Sequence, residues 1–312
     1  TVGVALDVDG VLVRGKNAVP RAAEALDLLD AEGLPWMLLT NGGGSLEYVK
    51  AEAVGKVLGR PIPHDRVVVA HTPMKPLATK YKDKLVLFTG RKNPRAIADA
   101  YGFNRVVTLQ ELHVAHPSLY PDVPSDPEGT DPYASVNEPI SAVVVLMDPL
   151  MWERESQILC DVFRSDGTLH NLSDTQVVPA YFAGPDFVYA AEAPVPRFGS
   201  GAFLHVVESL FQALTGRSLE VTRFGKPFPV TFEYAQAEME AIMGSAASRL
   251  WMIGDNPTTD IQGANNMGGV WQSALVRTGI FKGAGNDSAH PGTIVADDVY
   301  DAVVEIVKQS KE

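Results

Sequence analysis

Two aspartates, Asp7 and Asp9, follow a short apolar run near the start of the chain. The run, VGVAL, is rich in β-branched residues and stops at the polar turn Asp7-Val8-Asp9-Gly10, a pattern typical of a fully buried strand. Two unpaired carboxylates in such a turn repel each other and lose hydration energy, so they imply a cation. The spacing alone also fits a solvated, Asp-rich turn.

A second polar turn, Thr40-Asn41-Gly42, follows the apolar run 36–39. The Thr40 hydroxyl, the Asn41 amide and the Gly42 backbone N–H can donate three hydrogen bonds to one oxyanion. Taken alone, the same residues form an ordinary Asn-Gly turn that enters a helix.

Two further groups of polar residues lie in the last third of the chain. Lys226, in Gly225-Lys226-Pro227, precedes a predicted helix at 227–243, and the positive end of a helix disfavours a lysine unless an anion is present. A surface lysine in a loop is the alternative. Asp255 and Asp260 follow the apolar run RLWMI. Their hard oxygens, with no His or Cys nearby, favour Mg²⁺ over zinc.

The elements around these turns alternate between apolar strands and amphipathic helices, which predicts an α/β fold with a parallel sheet and right-handed crossovers. Ligands bind at the carboxyl ends of such strands, where the Asp7 and Thr40 turns lie. We also predict strands at 84–89 and 182–189, a helix at 94–101 that ends at Gly102, and a long surface loop at 117–139.

The order of elements predicts two domains, which agrees with a length of 312 residues. A core α/β domain formed by 1–90 and 197–312 is interrupted by an inserted domain at 91–196.

Composition narrows the classes of partner. The chain has 26 basic and 38 acidic residues and a net charge of −12. Such an acidic surface repels phosphate backbones, which argues against nucleic acid as a partner. A phosphorylated substrate must therefore be attracted by groups within the site itself. No apolar stretch approaches the ~20 residues that span a bilayer, so we expect no membrane protein. The single cysteine, Cys160, fits a reducing, intracellular compartment. We recognise no signal peptide. Because the chain does not begin with Met, we leave open that a targeting segment is missing from its N-terminus. Cytoplasmic and mitochondrial locations therefore both remain open.

Together and in this order, the four groups resemble the motifs of the haloacid dehalogenase superfamily. Asp7 to Val11 resembles its DxD(G)(T/V) motif, Thr40-Asn41 its second motif, Lys226 its third, and Asp255 with Asp260 its GDxxxxD motif. The resemblance implies a Rossmann-like core, and the insertion between the second and third motifs resembles an α/β cap of the C2 type.

That resemblance implies a Mg²⁺-dependent phosphatase that acts on a small phosphorylated metabolite. Asp7 would be the nucleophile and Asp9 the general acid and base. Lys226 would pair with Asp7, and Thr40, Asn41 and the Gly42 N–H would bind phosphate oxygens. Asp7, the Asp9 carbonyl and Asp255 would hold Mg²⁺, with Asp260 and Asn256 orienting its waters.

The variants TNGGG and GKP and the segment 275–279 resemble class IIA, the NagD-like phosphatases. The long Pro-rich insertion and the segment 197–203 resemble a eukaryotic, partly mitochondrial branch of that class. Segment 181–186 resembles the TNPD motif of the cap, which implies that Asp186 faces the leaving group. Ala183 and Gly184 replace the Thr and Asn of that motif, so substrate identity does not carry over. Relatives with this cap are often dimers, and a homodimer is compatible with the chain.

Three alternatives to a phosphatase remain open at this point. A phosphotransferase or mutase would use the same phosphorylated Asp7. A binding protein would retain the fold without turnover, although Asp7, Asp9, Lys226 and Asp255 are all present. A receiver domain shares a phosphorylated Asp and a Mg²⁺ site, but it is shorter and lacks the DxD spacing and a cap. Dehalogenation is disfavoured, because a halide leaves without the proton that Asp9 offers.

Overall fold

The computed structural model describes residues 1–124, 138–169, 171–189, 195 and 197–311. Within these ranges the strands are β1 (Val2–Leu6), β2 (Val13–Arg14), β3 (Asn17–Ala18), β4 (Trp36–Leu39), β5 (Val67–Val68), β6 (Val86–Thr89), β7 (Val106–Thr108), β8 (Ala142–Val145), β9 (Ala180–Ala183), β10 (Val188–Tyr189), β11 (Arg197–Phe198), β12 (Val221–Phe224), β13 (Arg249–Gly254), β14 (Trp271–Val276) and β15 (Ile294–Ala296). The α-helices are α1 (Ala22–Ala31), α2 (Glu47–Leu58), α3 (Leu77–Lys80), α4 (Pro94–Tyr101), α5 (Leu109–Ala115), α6 (Trp152–Phe163), α7 (Ser200–Thr215), α8 (Pro229–Met243), α9 (Gln262–Met267) and α10 (Val299–Ser310).

Six strands form a parallel sheet in the order β15-β14-β13-β1-β4-β5, which confirms the predicted α/β class. Leu6 of β1 lies opposite Ile253 of β13 and Leu38 of β4. The three strands that end at the Asp7, Thr40 and Asp255 turns are therefore neighbours, and their carboxyl ends meet at one edge of the sheet.

Both faces of this sheet are covered by helices. Side chains of β1 alternate, so that Val4 and Leu6 pack in the cluster with α1, α2 and α10, whereas Ala5 packs in the cluster with α8 and α9. A strand buried on both faces has a continuous apolar sequence, as VGVAL does. Each fully buried aliphatic side chain contributes about 1.5–3 kcal/mol to stability, so both faces hold the strand ends in place.

A second parallel sheet, in the order β12-β9-β8-β6-β7, forms the cap. Helices α5, α6 and α7 pack against one face of this sheet, and α3 and α4 against the other. Strand β6 precedes residue 91 and β12 follows residue 196, and both pair within this second sheet, which favours a cap longer than the predicted 91–196 at both ends. Residue 196 itself lies outside the described residues. Strand–helix alternation continues through both boundaries, so the sequence pattern does not mark where the chain changes sheets. We propose a cap that runs from β6 to β12.

One local prediction is wrong and another is confirmed. The strand predicted at 182–189 is interrupted, because Gly184 has a φ of 76° and Pro185 cannot donate a ladder hydrogen bond. Its end, β10, pairs instead with β11 in a separate antiparallel hairpin. Gly102 ends α4 with a φ of 87°, as predicted. Most of the predicted loop at 117–139 lies outside the described residues.

Across the described part of the chain, no helix is both long enough and apolar enough to cross a bilayer.

Candidate active site

The Lys226 ammonium lies at the centre of the site, at the carboxyl edge of the first sheet. Its Nζ donates to Asp7 Oδ1 at 2.7 Å and to the Leu39 carbonyl oxygen at 2.6 Å, and it lies 2.7 Å from Asp260 Oδ1. Asp7 itself extends the β1–β13 pairing, because its N–H donates to the Ile253 carbonyl. The structure thus brings together three of the residues predicted from separate parts of the sequence.

Lys226 reaches this position because the chain returns from the cap directly into the site. It follows β12 by two residues, after Gly225, whose φ of 110° turns the chain at a position where a Cβ would lie 2.5 Å from Pro185 Cδ. The Lys226 side chain is 1% exposed. Burial opposes its charge, but Asp260 and Asp7 outweigh that cost and raise the pKa of Lys226 above its usual value.

Three carboxylates form the potential metal site. One oxygen each of Asp7, Asp255 and Asp260 lie within 4.8 Å of one another. Burial raises the pKa of Asp7 well above its ordinary value, even though Lys226 lowers it. Burial, followed by the neighbouring Asp260 charge, raises the pKa of Asp255 to about 7. Clustered carboxylates that resist ionisation fit a hard divalent cation such as Mg²⁺, because its charge would reverse this repulsion.

The oxygens of Asp260 are already engaged by protein groups. Oδ1 contacts the Lys226 ammonium, and Oδ2 accepts from the Asn256 N–H at 3.1 Å. Asn256 Oδ1 in turn accepts from the Thr258 N–H at 3.0 Å and its hydroxyl at 2.9 Å, which caps the turn Pro257–Ile261. Asp260 and Asn256 are therefore positioned to support a metal site through hydrogen bonds to its surroundings.

Two glycines make room for the Asp255 carboxylate, and sequence reasoning assigned a role to neither. A Cβ on Gly10 would lie 2.5 Å from Asp255 Oδ2, and one on Gly279 would lie 1.8 Å from it. The two segments are joined, since the Thr278 hydroxyl donates to the Gly10 carbonyl at 2.5 Å. The Ile280 N–H then donates to Asp255 Oδ2 at 2.5 Å. The signals in the sequence were two family resemblances: the DxD(G)(T/V) motif for Gly10 and the segment 275–279 for Gly279.

The Asn41 side chain is engaged by the protein rather than open to a ligand. Its Oδ1 accepts from the Lys226 N–H at 2.7 Å, and its Nδ2 donates to the Lys226 carbonyl at 2.9 Å and to Asp186 Oδ1 at 3.2 Å. This differs from the predicted grip on phosphate. One amide instead connects the first sheet, the returning chain and the cap.

Next to Asn41, the Thr40 hydroxyl is able to donate a hydrogen bond to a ligand. Thr40 Oγ1 accepts from the Gly42 N–H at 3.0 Å, so the Gly42 N–H is engaged while the Thr40 hydroxyl can still donate. The glycines that follow permit the cap to approach, because a Cβ on Gly44 would lie 2.8 Å from Met147 Sδ.

Asp9 and Asp186 complete the predicted set from opposite sides. The Asp9 side chain is 64% exposed, and its Oδ2 lies 3.3 Å from Lys50 Nζ of α2, a contact that no sequence motif predicted. Asp186 comes from the cap, and its burial raises its pKa to about 6, although the Asn41 hydrogen bond lowers it.

A cavity of about 720 Å³ lies between the two sheets, a size typical of small-molecule sites. All the predicted site residues line it: Asp7, Asp9, Thr40, Asn41, Gly42, Asp186, Lys226, Asp255, Asn256 and Asp260.

Comparison with known proteins agrees with this geometry. Residues 4–104 match the family model described as haloacid dehalogenase-like hydrolase, and residues 223–302 match a second one for hydrolases of that type. A mitochondrial hydrolase of Saccharomyces cerevisiae is 30% identical over 99% of this chain and 96% of its own length. A fusion of cardiolipin synthase (CMP-forming) with a mitochondrial hydrolase in Schizosaccharomyces pombe is 35% identical over 95% of this chain. The chain spans about half of that fusion protein, 51% of its length.

Solved structures share the fold over nearly the whole chain. A hypothetical protein from Pyrococcus horikoshii superposes with a TM-score of 0.74 at 22% identity, covering 98% of this chain and 100% of its own. The p-nitrophenyl phosphatase of Archaeoglobus fulgidus has a TM-score of 0.68 at 18% identity, covering 97% and 98%. NagD from Escherichia coli has a TM-score of 0.64 at 19% identity, covering 96% and 97%. The chain therefore belongs to the haloacid dehalogenase-like hydrolases, and its core and cap have the NagD-like fold.

Proposed function

We propose that the chain is a Mg²⁺-dependent phosphatase that hydrolyses a small phosphomonoester through an aspartyl-phosphate on Asp7. The observation that carries this proposal is the 2.7 Å contact between Lys226 Nζ and Asp7 Oδ1 at the floor of the cavity, next to the carboxylates of Asp255 and Asp260. Lys226 neutralises Asp7, which lets a carboxylate nucleophile and an anionic substrate approach each other.

In the first step an Asp7 oxygen attacks phosphorus, and the bond from phosphorus to the leaving oxygen breaks. Asp9 gives its proton to that oxygen, so the product leaves as an alcohol. In the second step Asp9 takes a proton from water as the water oxygen attacks the aspartyl-phosphate, which releases phosphate and restores both carboxyl groups. The exposed side chain of Asp9 can reach bulk water between the steps.

Mg²⁺ would be held by Asp7, the Asp9 carbonyl and Asp255, with Asp260 and Asn256 supporting it. When bound, the ion supplies positive charge against the charge that spreads over the phosphoryl oxygens. The Thr40 hydroxyl donates to one of those oxygens.

Asn41 acts as a positioning residue in this proposal, in place of the phosphate contact expected from its motif. Its amide brackets the Lys226 backbone from both sides and also bonds Asp186 of the cap. Asp186 faces the leaving group across the cavity. We also propose a mitochondrial location, since both curated relatives are named as mitochondrial hydrolases.

The test compares hydrolysis of p-nitrophenyl phosphate by wild-type protein and by Asp7→Asn, with MgCl₂ and with excess chelator. We expect Asp7→Asn to lose at least about 10⁴-fold in kcat, because a neutral amide oxygen is a poor nucleophile. Chelation should abolish wild-type turnover. The exposed Asp83→Asn serves as the matched control and should retain full activity. Activity of Asp7→Asn within tenfold of wild type would exclude the mechanism.

A further inference from the structure

Two short hairpins line the outer part of the cavity, and nothing in the proposed phosphate chemistry uses them. The hairpin β2–β3 belongs to the core domain and places Arg14 and Lys16 on the cavity wall. The hairpin β10–β11 belongs to the cap and places Tyr189 and Arg197 there. Because these four residues are exposed whereas Asp7 and Lys226 are buried, the hairpins lie at the open end of the cavity.

The hairpin of the cap lies outside the main cap sheet. All four residues of β10 and β11 are exposed, and the hairpin forms a two-stranded sheet separate from the cap sheet. Tyr189 and Arg197 are directly opposite each other in its antiparallel register. Opposite residues in such a pair have Cβ atoms about 4.5–5.5 Å apart, so a phenol and a guanidinium are presented side by side.

The charge pattern of the cavity changes from its floor to its opening. The floor carries the aspartates, with the Lys226 ammonium between Asp7 and Asp260 and three carboxylates that form the potential metal site. The hairpins instead contribute three cations, Arg14, Lys16 and Arg197, in a chain whose net charge is −12. Arginine forks bind carboxylates and phosphates through paired N–H donors, and a tyrosine hydroxyl adds another donor.

We propose that the two hairpins bind a second anionic group on the leaving-group side of the substrate. The inference rests on the proposed phosphatase function and assigns its substrate class: phosphomonoesters that carry a further carboxylate or phosphate. A cavity of about 720 Å³ has room for such a molecule, since the phosphoryl group occupies only the floor.

The test uses three substrates that differ only in the para substituent: phenyl phosphate, 4-carboxyphenyl phosphate and 1,4-phenylene bisphosphate. We expect wild-type KM to be about tenfold lower for one or both substrates with a second anionic group than for phenyl phosphate, the effect of a charge-assisted hydrogen bond in a partly exposed site. The carboxylate and bisphosphate arms show which anion the hairpins prefer.

Arg14→Gln and Arg197→Gln keep a polar side chain and remove one charge from each hairpin. Both should erase most of the KM preference and leave phenyl phosphate kinetics within about twofold of wild type. The matched control is Arg249→Gln, an exposed arginine at the opposite end of β13 from Asp255, which should leave all three KM values unchanged.

The proposal would be overturned if the hairpin cations act only by long-range electrostatic attraction of anionic substrates. In that case the variants lower kcat/KM for all three substrates alike, and the effect disappears at high salt. Equal wild-type KM values would overturn it as well. If none of the three is hydrolysed, the proposed function fails, and calorimetry of the same compounds on wild type and Arg197→Gln decides the binding question separately. Equal affinities would then reject the second-anion site.

Discussion

Replacing Asp255 by Asn should stabilise the metal-free protein even though it removes a metal ligand. Asp255 is 2% exposed, and burial together with Asp260 raises its pKa from 3.8 to about 7. An asparagine is of the same size and keeps an oxygen to accept the Ile280 N–H. The substitution therefore removes the cost of a buried charge and preserves the contacts around it.

The magnitude follows from linkage between protonation and folding. A carboxyl whose pKa is higher in the folded than in the unfolded state binds a proton on folding, so the free energy of unfolding falls as pH rises. For Asp255 that fall extends from about pH 4 to about pH 7 at about 1.4 kcal/mol per pH unit. Above pH 7 the total is about 4 kcal/mol, which is the most that Asp255→Asn can restore.

The assay is urea unfolding in excess chelator from pH 5 to pH 8. We expect the free energy of unfolding of Asp255→Asn to exceed that of wild type, with a gap that widens up to pH 7 and then stays constant. Added Mg²⁺ should stabilise wild type at pH 8 and leave the variant unchanged. The exposed Asp83→Asn is the control, with a change within about 0.5 kcal/mol. A pH-independent gap, or a variant less stable than wild type at pH 8 in chelator, would refute the reasoning.

Three further predictions concern other contacts of the site. Lys226→Met leaves two buried carboxylates without their cation, so we expect about 3 kcal/mol lower stability in urea unfolding and at least about 10³-fold lower kcat/KM for p-nitrophenyl phosphate; stability equal to wild type would contradict this. Asn41→Ala should lower kcat about 10- to 100-fold with KM changed less than about threefold, because its amide positions Lys226; a raised KM at constant kcat would instead mean that it grips substrate. Gly279→Ala places a Cβ 1.8 Å from Asp255 Oδ2, so half-maximal activity should require about tenfold more Mg²⁺, whereas the control Gly285→Ala, with nothing within 4 Å of its Cβ, should behave as wild type.

Much of the fold could be predicted from the local pattern of apolar and polar residues. Apolar runs bounded by polar turns identified β1, β4 and β13, and alternation with helices predicted their parallel pairing. The cap boundaries were harder to predict. Strand β6 has the same buried, apolar pattern as strands of the first sheet, whereas β12 (VTRF) has no continuous apolar run. Which sheet a strand joins depends on contacts between residues far apart in sequence. Strand β12 lies in the segment predicted to belong to the core domain, yet it pairs with β9 of the cap.

The sequence by itself determined which functional groups could meet at one edge of the sheet. Each of these groups lies next to a strand end or a helix start: Asp7, Thr40, Lys226 and Asp255. Tertiary structure decided how these groups are used. Asn41 holds the Lys226 backbone, Gly279 makes room for Asp255, and the hairpins bring Arg14 and Arg197 to the cavity. Such roles depend on distances of a few ångströms between segments far apart in the chain, and local residue pattern carries no information about those distances.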